Sequence, residues 1–111
     1  MKTKTVLEPL ALAIENKNSG TYTPSSLPFE IGKKYFIRTV TMYYTGHVKD
    51  VNGKFLILGD CAWIADTGRF NETIKDGSFS EIEPFPKDVI INSDCIVDAM
   101  EINFNLPLAV K

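Results

Sequence analysis

Two strand–turn–strand blocks, separated by an irregular stretch, constrain this 111-residue chain more than any other feature. The first runs from Tyr35 to Ala65 and turns at Asn52-Gly53. Both central residues of a tight two-residue hairpin turn need positive φ, which Asn and Gly tolerate best, so this dipeptide between apolar runs is a strong hairpin signal. The second block runs from Val89 to Met100 and turns at Asn92-Ser93-Asp94. Tyr35 to Tyr44 is dense in aromatic and β-branched residues and reads as one long strand. Gly46 marks a bend or bulge, Val48 and Val51 lead into the turn, and Phe55-Leu56-Ile57-Leu58 returns as a wholly apolar strand. Asp60 to Ala65 extends that strand or adds a short partner. Five short strands in so small a chain bury their apolar faces only by curling into a barrel or folding into a sandwich. The expectation is a mainly β fold built as a small five-stranded barrel.

The flanking segments read differently. In residues 1–33, Leu7, Leu10, Ala11 and Ile14 form the stripe of a short amphipathic helix from about Glu8 to Asn16, with Pro9 in its first turn. Asn18-Ser19-Gly20 and Thr23 to Pro28 follow as a polar, proline-punctuated linker. Residues 66–87 form a variable insertion between the blocks. There Asp66 or Thr67 caps a short helix, Phe70 and Ile74 make an i, i+4 pair, and Gly77 ends it. Phe79, Ile82, Pro84, Phe85 and Pro86 make an apolar, proline-broken connection back to the strands. The barrel domain thus covers residues 34–101, and residues 102–111 are a tail lying extended along an edge.

Composition removes several function classes. A net charge of −2 provides no basic field for nucleic acid or anionic lipid, and Lys33, Lys34 and Arg38 form the sole basic cluster. No apolar run approaches the roughly 18 residues that span a bilayer, so no membrane partner is expected. The apolar stretch after Lys2 and Lys4 is brief and interrupted by Pro9, unlike a signal peptide. Cys61 and Cys95 sit within expected strands as buried free thiols, which points to a reducing, cytoplasmic setting. Neither belongs to a Cys-x-x-Cys pair and there is one histidine, so no metal or other cofactor is expected.

The order of helix, long bent strand, glycine, hairpin, variable insertion and short strand pair resembles the Sm-like family, an SH3-like small barrel. Gly46, Val48, Val51 and Asn52 with Phe55 to Leu58 look like a shortened first motif of that family. Val89 to Val97 follows the spacing of the second motif, with Asn92 and Ser93 standing where an Arg-Gly turn is expected. The resemblance covers about Lys34 to Met100. It implies a homo-oligomeric ring of five to seven subunits, joined edge to edge through Val89, Ile90, Ile91, Cys95, Ile96 and Val97. In Sm-like rings, single-stranded RNA bases stack between a first-motif side chain and the second-motif Arg. Here Asn52 and Asn92 occupy the matching turn positions and the Arg is absent. The stretch Ile64-Ala65-Asp66-Thr67-Gly68-Arg69 is similar to one in uncharacterised bacterial and phage proteins.

The remaining candidates are read against simpler roles. Tyr43, Tyr44, His47 and Lys49 place aromatics beside cations, as single-strand binding requires, although half-buried strand tyrosines serve packing equally well. His47 would need an orienting carboxylate, for which Asp50 is the nearest in sequence, and a nucleophile that nothing supplies. Asp60 and Asp66 read as a strand-end residue and a cap or turn acid. Asp66-Thr67-Gly68 matches the triplet of aspartic proteases, in which the acid shares a proton with its mate across a dimer. Arg69 pairs with Asp66 or with a neighbouring subunit, and Trp63 anchors the core or an interface. The reading that follows is a non-enzymatic, ring-forming scaffold or adaptor. The alternatives are a single-stranded RNA-binding Sm-like protein and, more remotely, an aspartic-type hydrolase centred on Asp66.

Overall fold

The computed structural model describes residues 27–111. The expected N-terminal helix over Glu8 to Asn16 and most of the linker lie outside the described residues. Six antiparallel strands form one open sheet: β1 (Lys34–Thr39), β2 (Tyr43–Asn52), β3 (Phe55–Asp66), β4 (Glu81–Pro84), β5 (Val89–Asn92) and β6 (Ile96–Glu101). A single short helix, α1 (Phe70–Asp76), lies between β3 and β4. The strand order is β4-β3-β2-β1-β6, with β5 pairing the first half of β3 while β4 pairs its second half.

The stretch Tyr35 to Tyr44 is two strands rather than one. Thr39 turns the chain: its N–H donates to the Met42 carbonyl at 2.8 Å, and its hydroxyl both donates to that carbonyl and accepts from the Met42 N–H. A side chain that bonds the nearby backbone in this way offsets the strand propensity of Val40 and Thr41. The hairpin expected at Asn52-Gly53 forms, but its turn lies one residue further on. Asn52 pairs with Phe55 as the last strand residue, so Gly53 and Lys54 make the loop, with Gly53 at φ +60° and Asn52 outside the left-handed region. Two irregularities bend it. Register slips between Thr45 and His47, where Asp60 adopts φ +46°, and again between Val48 and Asp50. Gly46 lies within the first slip, where a Cβ would stand 3.2 Å from the Gly59 carbonyl. Asp60 is therefore a mid-strand bulge residue, not a strand end.

The insertion contains a strand that the sequence hides. Glu81–Pro84 adds β4 to β3, with Ile64 opposite Ile82 and Trp63 opposite Glu83. Helix α1 begins at Arg69 without a side-chain cap, so neither Asp66 nor Thr67 caps it. The Asp66 carboxylate instead accepts the Gly68 N–H at 2.8 Å, a local turn. Gly77 ends the helix at φ +78°, donating its N–H to the Thr73 carbonyl. The second block is also not a strand pair. Ser93–Cys95 is a 3-10 turn, so Cys95 lies outside any strand, and β5 pairs β3 while β6 pairs β1.

Each face of the sheet carries a buried apolar cluster. One apolar cluster gathers Tyr35, Ile37, Val48, Leu56, Leu58, Cys61 and Ile91, and the other gathers Phe36, Ala62, Ile64, Phe79, Ile82 and Ile102. Alternation along β1 explains the division, since Tyr35 and Ile37 point one way and Phe36 the other. Each such side chain contributes about 1.5–3 kcal/mol on burial. The tail closes the second cluster: Ile102 donates its N–H to the Lys34 carbonyl, and Lys111 exchanges both backbone bonds with Ile82 on the outer side of β4.

One core group is unsatisfied. The Thr45 hydroxyl is fully buried and has no hydrogen-bond partner among the described residues. Thr45→Val keeps the shape and removes that polar atom, so chemical denaturation should show a gain of about 1 kcal/mol. A loss of stability in the variant would mean that the hydroxyl is in fact bonded.

Candidate functional site

The two strands flanking the 3-10 turn carry the residues expected to mediate assembly. Asn92 sets the turn, its Oδ1 accepting from the Asp94 N–H at 2.9 Å. Of the six residues expected to mediate assembly, Ile91 is buried and Val89, Cys95 and Ile96 pack partly against the first cluster. Ile90 and Val97 point outward and are 68% and 64% exposed. Among the described residues, no backbone bond is made on the outer side of β5 or β6. β6 reads Ile-Val-Asp-Ala-Met-Glu, with a bulge at Val97 as its sole interruption and no proline or lysine to blunt pairing. Its charges are held inward: Arg38 grips Asp98 with two nitrogens and Lys33 meets Glu101 at 3.4 Å. The Arg38 hydrogen bonds hold the Asp98 carboxyl below the usual carboxylate range.

The residues expected to contact nucleic acid fall at three places. Asn52 and Asn92 come together, each standing opposite Phe55 in one cross-strand row, with Phe55 itself 42% exposed. His47 and Lys49 fold across β3 at Gly59, where a Cβ would sit 2.7 Å from either side chain. Tyr43 and Tyr44 face opposite sides of the sheet. Tyr43 packs edge-on to Phe36 at 5.9 Å, and Tyr44 lies 6.1 Å from Phe85. They therefore offer no common stacking surface. The nearby lysines are occupied, Lys49 by Asp88 at 2.8 Å and Lys54 by Asp94 at 3.0 Å.

The partner of His47 is Asp60, whose Oδ2 lies 3.8 Å from Nδ1, and not Asp50, whose carboxylate accepts the Val51 N–H. The sequence signal was present in the Gly46 and Gly59-Asp60 bulge, which swings Asp60 toward β2. Both side chains border an open groove of about 810 Å³, walled by Lys34 and by Asn105, Leu106, Leu108 and Ala109 of the tail. Among the described residues its lining holds no Ser, Thr, Cys or Tyr for the pair to activate. Asp66 stands opposite Glu81 at the far end of β3, Arg69 meets Glu72 at 3.9 Å rather than Asp66, and Trp63 is 37% exposed. Among the described residues, no group of three His, Cys, Asp or Glu is placed to hold a metal, and no helix is long and apolar enough to cross a membrane.

Both cysteines are free, but they differ sharply. Burial pushes the Cys61 thiol up to about 12, whereas Cys95 is partly exposed. A thiol titration of the native protein at neutral pH should therefore give one prompt equivalent, from Cys95, and a second on unfolding. Prompt reaction of both thiols would contradict the burial of Cys61. No family model, curated protein or solved structure matches this chain at a significant level.

Proposed function

We propose that this chain is a non-enzymatic, ring-forming small barrel of Sm-like type, acting as a scaffold or adaptor. The observation that carries the reading is the pair of outer edges on β5 and β6, with Ile90 and Val97 exposed beside them. A strand edge left without a partner among the described residues is a template for another chain, and a like subunit supplies the complementary edge. Strand connectivity supports the barrel. The strands β1, β2 and β3 form a meander, β5 pairs β3, and the 3-10 turn links β5 to β6, which pairs β1. Light scattering tests the reading. A solution mass of five to seven subunits is expected, and a monomer across the working concentration range overturns it.

A second reading, binding of single-stranded RNA at the rim of such a ring, draws on the row Asn52, Phe55 and Asn92. That row sets an exposed ring between two amides where bases could stack. Retention on a single-stranded oligonucleotide at low salt is its expected result, and flow-through at low salt ends it.

A further inference from the structure

The geometry points to a recognition site for an arginine side chain of a partner polypeptide, built from Tyr44, Trp63 and Phe85 with Glu83 at its border. Tyr44, Trp63 and Glu83 stand directly opposite one another on β2, β3 and β4, so their side chains share one face of the sheet. Phe85 joins them where its N–H bonds the Cys61 carbonyl, its ring tilted 30° to that of Tyr44 at 6.1 Å. Trp63 and Phe85 are 37% and 38% exposed, Tyr44 is half-buried beside them, and Glu83 is exposed, so the rings meet solvent together with a carboxylate. Trp63 also walls a cleft of about 330 Å³ with Val40 and Met42, which offers apolar room for residues flanking the arginine.

The opposite face of the same sheet shows what this combination holds. There the Arg38 guanidinium lies 6.0 Å from the Tyr43 ring and 5.4 Å from the Phe70 ring, and Asp98 binds it. Aromatic faces and a carboxylate thus clasp a guanidinium on one side. On the other side the same groups recur, and no Lys or Arg lies over their rings among the described residues. Glu83, and Glu81 and Asp66 beyond it, make no ion pair among the described residues, so the charge complement of this face is cationic. Guanidinium fits better than ammonium because its plane stacks on rings while its edge meets the carboxylate. The site does not depend on assembly through β5 and β6.

Trp63 is the sole tryptophan, so its emission reports on this surface alone. The probe is a blocked Ala-Ala-Arg-Ala-Ala peptide, compared with the same peptide carrying neutral citrulline. A saturable change in emission at millimolar arginine peptide is expected, with little or none for citrulline. Glu83→Gln and Phe85→Leu should each weaken binding about two- to fivefold while leaving the circular dichroism unchanged. An equal response to citrulline, no saturation, or variants that bind as well as the parent overturns the proposal.

Discussion

Phe79→Ala is expected to destabilise the protein by about 3–5 kcal/mol, a large fraction of the roughly 5–15 kcal/mol that holds a domain folded. Phe79 is 1% exposed and stands at the centre of the second cluster, stacked on Phe36 at 5.9 Å and edge-on to Phe104 at 5.9 Å. Truncation removes the ring's own burial and leaves a cavity between sheet and tail. Neither side can easily collapse into that space. Phe36 is fixed in β1, and Phe104 is wedged against Gly77, where a Cβ would lie 2.6 Å from its ring. Thermal unfolding should shift down by about 10–25 °C. Leu108→Ala, at a position 67% exposed, should stay within about 0.5 kcal/mol of the parent. Equal effects from the two substitutions would mean that the helix and tail do not pack on the sheet as described.

The second large effect concerns assembly. Ile90→Lys or Val97→Lys should convert the proposed ring to a folded monomer. Each side chain projects from an outer strand that, in the ring, would lie against a neighbour, so each lysine would place an unpaired charge in every interface. A cost of about 3 kcal/mol per contact weakens association more than a hundredfold. Because both residues are exposed in the single chain, the monomer should stay folded, with the parent's circular dichroism and a single cooperative unfolding transition, and lose only the stability that association supplied. Light scattering and denaturation on the same samples separate the two readouts. Variants that keep the parent's oligomeric mass would remove these edges from the interface.

What the sequence reveals follows from how local each signal is. The first hairpin and the Gly77 helix stop are legible because a single glycine carries each conformational requirement, Gly53 at φ +60° and Gly77 at φ +78°, although the hairpin loop is Gly53-Lys54 rather than Asn52-Gly53. The strand β4 is not, because Ile82 is the lone buried residue in Glu-Ile-Glu-Pro and a proline ends it. Its strand character comes from β3, which is long enough to pair two different partners along one side. The break after Thr39 is hidden for a related reason: Val40 and Thr41 favour strands, and the turn is made by a side chain. The His47–Asp60 contact depends on a slipped register, so nearest-neighbour reasoning selects Asp50 instead. Asn52 and Asn92, forty residues apart in sequence, meet across Phe55 because each turn pins its own strand end.

The clasp between Lys111 and Ile82 decides how such a subunit can multiply. With the β4 flank occupied and Pro84 unable to donate, β5 and β6 remain as the two bonding places among the described residues. Units of valence two give closed loops or unbranched threads, whereas a third open flank would give networks that gel.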